Sequence, residues 1–142
     1  MIPARDEADC VGSTVEHLHL ELEMNEIAHE IVVVDDGSTD ETWPLLQELA
    51  DRLPAVHPVR NGPPHGFGRA VQAGIEAAAG DGVIIMMADE SDDVRDAVRY
   101  WQTLNEGWDC VFGSRFMRGG GTIDYPPIKY AINRMANLFI RL

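Results

Sequence analysis

The chain has 142 residues, of which 45% are hydrophobic, and a formal net charge of −13, as expected for one acidic globular domain with a buried core. Its longest apolar runs are strand-sized, and no basic region followed by an apolar core opens the chain, so the sequence predicts neither a membrane span nor a secretion signal. The acidic excess argues against nucleic acid as the main partner, because phosphate contacts need a basic surface.

The predicted elements alternate between strands and helices. The predicted strands are Ile31–Val34, Val56–Val59, Val83–Met87 and Asp109–Gly113. The predicted helices are a stretch containing Val11 to Leu22, one starting near Thr42, then Phe67–Ala79, Asp93–Glu106 and Pro127–Leu142. This order is typical of an α/β fold with a mostly parallel sheet flanked by helices, in which ligands bind at the carboxyl ends of the strands. Very little chain precedes Pro3, so we expect a truncated first strand and a chain that is incomplete at both ends.

Two carboxylates, Asp35 and Asp36, follow the apolar run Ile31–Val34 and precede Gly37. At the end of a buried strand they can accept hydrogen bonds from the N–H or hydroxyl groups of a ligand. Asp and Ser are also good turn and cap residues, so the string is equally well explained by local structure.

A second acidic turn follows Met87 and contains four carboxylates within five residues, ending at Asp93. Such oxygen ligands suit Mg²⁺ or Mn²⁺, usually with substrate phosphates completing the coordination shell. The alternative is an acidic N-terminus for the next helix, which fits Asp92 and Asp93. Asp89 stands where the predicted strand stops and is the stronger metal candidate.

Two glycine-containing stretches complete the set of motifs. Gly66–Ala70 (GFGRA) resembles part of a dinucleotide-binding fingerprint, but Val71 stands where the third glycine would be. Gly113 and Ser114 precede Arg115, whose planar guanidinium suits a diphosphate. The five histidines have no metal-ligand spacing, although His65 lies in the loop before Gly66.

Together these motifs resemble the family 2 glycosyltransferases, which have the GT-A fold, and most closely the polyprenyl-phosphate sugar transferases of the dolichol-phosphate mannosyltransferase type. The resemblance runs along the whole chain. It rests on Ile2–Glu7 (IPARDE), Ile31–Asp40 (IVVVDDGSTD), Gly66–Ala70 and Gly113–Arg115 (GSR). It implies one catalytic domain over residues 1–142 and transfer of a sugar, with inversion, from a GDP- or UDP-linked donor.

The resemblance also assigns roles to residues. It implies nucleotide contacts from Pro3, Ala4, Glu7, Asp35, Asp36 and Asp89. A divalent metal ion, Mg²⁺ or Mn²⁺, is expected on Asp89 with Ser91 beside it, and phosphate contacts are expected from Arg115 and Lys129. Asp89 and Arg115 would be the catalytic residues, because they meet the charge of the leaving diphosphate.

The chain departs from the family pattern at three points. Met87 replaces the first Asp of the family's DxD motif, Asp6 stands where the family usually has Asn, and the first strand is short. The first departure puts the metal site in doubt and the third puts the fold in doubt.

The basic end of the chain fits a phosphate-bearing acceptor. Residues 115–142 carry five Lys and Arg against one acidic residue, whereas residues 1–114 carry six against 23. A polyprenyl phosphate or another acceptor is expected there, and the amphipathic stretch over residues 126–142 either lies at a membrane surface or packs on other protein. The two cysteines have no metal-ligand or disulfide spacing, which fits a reducing cytoplasm. We expect the protein at the cytoplasmic face of the membrane.

Two alternative functions stay open at this point. A degenerate or truncated transferase domain would bind nucleotide or act as an interaction module without turnover. A Rossmann-type oxidoreductase binding NAD(P) is suggested by Gly66–Ala70 alone, and it leaves the acidic turn after Met87 unexplained.

Overall fold

The computed structural model describes residues 1–114 and 126–140, and it divides the chain into two compact units, Met1–Asp109 and Cys110–Leu142. The first unit contains β1 (Ile2–Ala4), α1 (Val11–Met24), β2 (Ile31–Asp35), α2 (Thr42–Arg52), β3 (Val56–Arg60), α3 (Phe67–Ala77) and α4 (Val94–Asn105). The second contains α5 (Pro127–Ile140).

The three strands form one parallel sheet in the order β1-β2-β3. All five residues of β2 are buried, because helices cover both faces of the strand. Apolar side chains alternate between the faces: Ile31 and Val33 pack in the core with α1, α2 and α4, whereas Val32 and Val34 pack with α3. The predicted α/β fold with a parallel sheet between helices is confirmed.

The short first strand is a full member of the sheet. β1 has only three residues, all of them buried, and its register pairs Ile2 with Val33 and Ala4 with Asp35. Ile2 is entirely buried in the core shared with α1. Three residues are therefore enough to place the loop that follows β1 at the carboxyl end of the sheet.

Two predicted strands are wrong. The stretch predicted from Val83 runs beside the start of β1, where the Met86 N–H donates to the Met1 carbonyl at 3.1 Å, but no strand forms. β1 pairs with β2, but it is only three residues long and cannot pair with the five-residue stretch along its length. Asp109–Gly113 is mostly exposed and has no neighbouring strand in the described part of the chain, so its apolar residues have no sheet to complete.

The last helix, α5, agrees with the predicted helical stretch as far as residue 140. Its apolar side chains Ile128, Ile132 and Met135 are 76%, 59% and 71% exposed. Among the described residues, no helix is both long enough and apolar enough to cross a membrane.

Candidate functional site

The carboxyl ends of the three strands bring Ala4, Asp35 and Arg60 into one row. Ala4 is in register with Asp35, and Asp35 with Arg60. The chain continues this pattern past the strand ends, since the Asp36 N–H donates to the Ala4 carbonyl at 2.9 Å and the Asn61 N–H donates to the Asp35 carbonyl at 2.8 Å. This edge of the sheet is where an α/β fold binds its ligands.

The loop after β1 is held to the loop after β2 through Asp6. The Asp6 carboxylate accepts hydrogen bonds from the Thr39 N–H at 2.7 Å and from the Thr39 hydroxyl at 3.1 Å, while the Asp6 N–H donates to Ser38 Oγ at 3.0 Å. These bonds, chiefly the one from the Thr39 N–H, hold the pKa of Asp6 below its usual value. Asp6 has a left-handed backbone with φ of 55°, a conformation that Asn and Asp tolerate best among non-glycine residues. Asp6, which stands where the family usually has Asn, therefore keeps both the backbone conformation and the acceptor oxygen of that residue.

Two further hydrogen bonds join the same loops. The Glu7 N–H donates to Thr42 Oγ1 at 2.9 Å and the Ala8 N–H donates to Asp40 Oδ2 at 3.1 Å. Asp40 also accepts from the hydroxyl and the N–H of Thr42, at 2.6 and 3.0 Å, and the hydroxyl bond contributes most to lowering the Asp40 pKa. Asp40 and Thr42 thus fix the start of α2 as well as the position of Glu7.

The Asp35 carboxylate is completely buried, and its two oxygens differ in their partners. Oδ1 accepts from the Ser38 N–H at 3.0 Å. Oδ2 has no hydrogen-bond donor in the described part of the chain and lies 3.4 Å from Arg60 Nε. The Arg60 guanidinium also lies over the Trp43 ring, 4.8 Å from its centroid. Asp35 therefore stabilises the turn after β2 through a hydrogen bond to Oδ1 and forms an ion pair with the exposed Arg60 through Oδ2.

Asp36 is 4% exposed, and three donors from the β3–α3 loop surround its carboxylate. Asn61 Nδ2 donates to Oδ1 at 2.7 Å, the Gly66 N–H donates to Oδ2 at 2.7 Å, and His65 Nδ1 lies 3.3 Å from Oδ1. Burial raises the pKa of Asp36, but these hydrogen bonds outweigh it and leave the pKa below its usual value. Asp36 is thus an ionised anchor for the loop after β3.

In the same loop, the His65 ring packs directly against Gly37. A methyl group on Gly37 would lie 2.5 Å from Cε1 and 2.6 Å from Nε2 of the His65 ring. Gly37 also has a φ of 77°, which disfavours any side chain. Glycine is needed at this turn for both reasons.

The acidic turn contains an exposed Asp89, whose Oδ1 accepts from the Ser91 N–H at 3.1 Å. Glu90 has a left-handed backbone with φ of 58°, and its carboxylate accepts a hydrogen bond from Ser13 in the first turn of α1. The buried Thr14 hydroxyl donates to the Ala88 carbonyl at 2.9 Å. The N-terminus of α1 therefore fixes the acidic turn in place, at a helix end that favours negative charge.

The other two carboxylates of the turn have local partners. Asp92 Oδ2 accepts from the Met87 N–H at 2.9 Å and closes the turn. Asp93 is the N-cap of α4, where it accepts from the Arg95 N–H at 3.0 Å. The Arg95 side chain, its strongest partner, lowers the pKa of Asp93 to about 2. The helix-cap interpretation is thus confirmed for Asp93, while Asp92 bonds to the turn itself.

Cys10 directly precedes α1 and is a free, half-buried thiol. Burial raises the pKa of the Cys10 thiol, and the neighbouring carboxylates, first Glu90 and then Glu7, raise it further. Such a thiol stays protonated and unreactive at neutral pH. The acidic turn and the loop after β1 are therefore close enough for their charges to act on one side chain.

The residues of the acidic turn suit a cation that is shared with a ligand. Within the described ranges no group of three or more His, Cys, Asp or Glu side chains is arranged to hold a metal ion. Asp89 is exposed, and its Oδ2 has no partner in the part of the chain that is described. Mg²⁺ often binds through one or two carboxylates plus substrate phosphates, so Asp89, with Ser91 beside it, fits this kind of site and not an all-protein cage.

The structure places the predicted site residues in different surroundings. Pro3 and Ala4 are buried within β1, and Glu7 is half-buried in the following loop. Arg115 lies outside the described residues. Lys129 is on the exposed surface of α5 in the second unit.

Sequence reasoning missed Arg60 and Asn61, although the signal was present. Both stand at the carboxyl end of β3, next to the carboxyl end of β2 that carries Asp35 and Asp36. The rule that ligands bind at the carboxyl ends of parallel strands applies to β3 as it does to β2.

Comparison with known proteins identifies the relatives of this chain. Residues 1–141 match the family described as Glycosyl transferase family 2. The chain is 33% identical over 114 residues to the dolichol-phosphate mannosyltransferase of Pyrococcus furiosus, which covers 80% of this chain and 32% of that protein. It is 34% identical over 115 residues to the polyprenol monophosphomannose synthase of Mycolicibacterium smegmatis, covering 78% and 43%. The chain thus spans less than half the length of these two curated relatives.

A solved structure supports the fold. The crystal structure of TarS from S. aureus is similar to this chain with a TM-score of 0.53 and 19% identity, over 73% of this chain and 19% of that one. At that identity the likeness shows the fold alone, which is GT-A. With a family match along nearly its whole length and with Asp35 and Asp36 at the carboxyl end of a strand in a parallel sheet, the chain belongs to glycosyl transferase family 2.

Proposed function

We propose that this chain is the nucleotide-sugar-binding part of an inverting transferase that moves a sugar from a GDP- or UDP-linked donor to a polyprenyl phosphate. The observation that carries the proposal is the row of loops after β1, β2 and β3, which gathers Glu7, Asp35 and Asp36 at one edge of the sheet. The names of the two curated relatives, one a dolichol-phosphate and one a polyprenol transferase, support the acceptor class.

The chemistry requires stabilisation of a leaving diphosphate. The acceptor oxygen forms a bond to the anomeric carbon while the bond from that carbon to the diphosphate oxygen breaks, and one such displacement inverts the centre. A phosphate acceptor is already ionised at neutral pH, so no general base is needed. When bound, a divalent metal ion supplies positive charge to the leaving diphosphate.

The residues of the chain have distinct parts in this proposal. Asp89 and Ser91 would hold the metal ion, and Arg115 and Lys129 are the proposed phosphate contacts. Asp35 belongs to the nucleoside end of the site, beside Arg60 and the Trp43 ring.

The proposed reaction takes place at the cytoplasmic face of a membrane. The exposed apolar side chains of α5, Ile128, Ile132 and Met135, support contact of residues 126–142 with lipid. Vesicle flotation tests this part of the proposal: we expect binding to anionic vesicles, and less binding after the change Ile132→Ser. Equal flotation of both proteins would contradict it.

Titration calorimetry with GDP and UDP, each with and without Mn²⁺, tests the donor and the metal. We expect metal-dependent binding of one nucleotide, and the change Asp89→Asn should weaken the metal-dependent part more than tenfold. The matched control is Asp51→Asn, since Asp51 is exposed on α2. Unchanged metal dependence in the Asp89 variant would refute the metal assignment.

A degenerate domain that binds nucleotide without turnover is the second candidate. Met87 at the place of the first DxD carboxylate favours it. Sugar transfer to a polyprenyl phosphate, measured with a radiolabelled donor, separates the two candidates, because only the enzyme forms a lipid-linked product.

A further inference from the structure

We propose that Ser13 and Thr14, in the first turn of α1, are positioning residues for Asp89: they hold the residues on either side of it and so fix where its carboxylate stands. The inference rests on the proposed function, because it takes Asp89 to bind a divalent metal ion together with a nucleoside diphosphate. Neither hydroxyl touches the ion or the nucleotide in this proposal, and both act through Asp89.

The hydrogen bond from Thr14 fixes the residue before Asp89. The Thr14 hydroxyl donates to the Ala88 carbonyl at 2.9 Å, and both residues are buried. A buried carbonyl that loses its donor is costly, so this bond keeps the end of the apolar stretch against α1. The chain therefore enters the acidic turn from a fixed point.

The hydrogen bond from Ser13 holds the residue after Asp89. The Ser13 hydroxyl donates to the Glu90 carboxylate, with the Cys10 carbonyl as a second acceptor at 2.9 Å. One hydroxyl hydrogen serves both acceptors, and the charged one forms the stronger bond. Glu90 has a left-handed backbone, with φ of 58°, which a non-glycine residue keeps only when its surroundings hold it. Ser13 provides such a contact directly after Asp89.

The helix that carries both hydroxyls is itself firmly placed. Val11 and Val15, which flank Ser13 and Thr14 in α1, are completely buried in the core. The Val11 N–H donates to the Glu7 carbonyl at 2.9 Å, so the same helix end is also bonded to the loop after β1. The acidic turn is thus held by a buried and well-connected part of the fold.

The surroundings of Asp89 make its placement important for metal binding. Asp89 is exposed, and its Oδ1 accepts from the Ser91 N–H at 3.1 Å, within the turn itself. Met87 stands where the family's motif has its first carboxylate, so the motif offers the ion one carboxylate fewer in this chain. A metal site with few protein ligands depends on how precisely each ligand is held. The two hydroxyls of α1 supply that precision from outside the turn.

Calorimetry of the 142-residue chain with GDP and UDP, each with and without Mn²⁺, tests the positioning role. The quantity compared is the Mn²⁺ enhancement, which is the ratio of the nucleotide affinity with Mn²⁺ to the nucleotide affinity without it. In Ser13→Ala and in Thr14→Val we expect this enhancement to fall about three- to tenfold. Ser13→Thr and Thr14→Ser keep a hydroxyl and should stay within about twofold of the unchanged chain. The matched control is Thr103→Val, which removes a hydroxyl bonded to the Arg99 carbonyl within α4 and should leave the enhancement unchanged.

The enhancement separates positioning of a metal ligand from a general structural role. Loss of the same nucleotide affinity with and without Mn²⁺ would show support of the fold or a direct nucleotide contact, and it would overturn the inference. An unchanged enhancement in Ser13→Ala, or an equal loss in Ser13→Thr, would also overturn it. Ser13 is only half-buried, so its variants decide the question even if Thr14→Val does not fold. If the unchanged chain shows no Mn²⁺ enhancement with either nucleotide, the metal assignment of the proposed function fails together with this inference.

Discussion

The close approach of His65 to Gly37 predicts an unusually large cost for a small substitution. In Gly37→Ala the new methyl group would lie 2.5 Å from Cε1 of the His65 ring, so the ring has to move away from Asp36. The left-handed backbone, with φ of 77°, costs about 1–2 kcal/mol for a residue with a Cβ. Loss of the contact between His65 and Asp36 adds about 1 kcal/mol. We expect Gly37→Ala to lower the free energy of unfolding by roughly 2–3 kcal/mol.

Urea denaturation followed by far-UV circular dichroism measures this cost. The matched control is Gly62→Ala in the neighbouring loop, where a methyl group would meet nothing within 4 Å and φ lies outside the left-handed range. There we expect a change of less than about 1 kcal/mol, with stabilisation the more usual sign.

A double-mutant cycle separates the two parts of the cost. With His65→Ala as background, only the backbone part remains, and Gly37→Ala should cost about 1–2 kcal/mol. The reasoning is refuted if Gly37→Ala is no more costly than Gly62→Ala, or if its cost is the same with and without the His65 ring.

Three further predictions concern other parts of the chain. Thr14→Val should cost about 1–3 kcal/mol in urea denaturation because it leaves the Ala88 carbonyl without its buried donor, whereas Thr14→Ser, which keeps the hydroxyl, should cost less. Folding lowers the pKa of Asp93 from 3.8 to about 2, so its contribution to stability is complete above pH 3.8 and is lost as the pH falls toward 2. The variant Asp93→Asn should therefore show a smaller drop in urea midpoint between pH 5 and pH 2 than the unchanged chain. The difference should be small because this carboxylate is 40% exposed. Gly68→Ala, at an exposed position of α3 with open space around it, should raise the free energy of unfolding by about 0.5–1 kcal/mol, and a loss of stability would contradict the helical environment described for this residue.

Local sequence was sufficient to predict the elements that depend on their own residues. The run Ile31–Val34 is apolar at four successive positions, and only a strand covered on both faces can bury all of them. Pro44 is tolerated only near a helix start, which predicted α2 near Thr42, and α2 does begin there. Two of the family motifs, Ile2–Glu7 and Ile31–Asp40, run from a strand into the loop that follows it, so they also depend on local residues.

Elements that need a distant partner were decided by tertiary structure. Val83–Met87 has as apolar a pattern as β2, but β1 is too short to pair with it along its length. Asp109–Gly113 has the composition of a strand and no neighbouring strand among the described residues. A strand is stabilised by hydrogen bonds to another segment, and the sequence of one segment does not report whether that other segment is present.

The roles of the acidic residues show the same division. The sequence by itself determined that Asp35 and Asp36 end a buried strand, because their position in the chain fixes it. Only the tertiary structure decided that Asp35 faces Arg60 while Asp36 anchors the loop carrying His65. The physical reason is that Asp35 is the last residue of β2 and Asp36 the first residue of the loop after it, so the two side chains meet different partners. Those partners are supplied by residues that are far away in the chain.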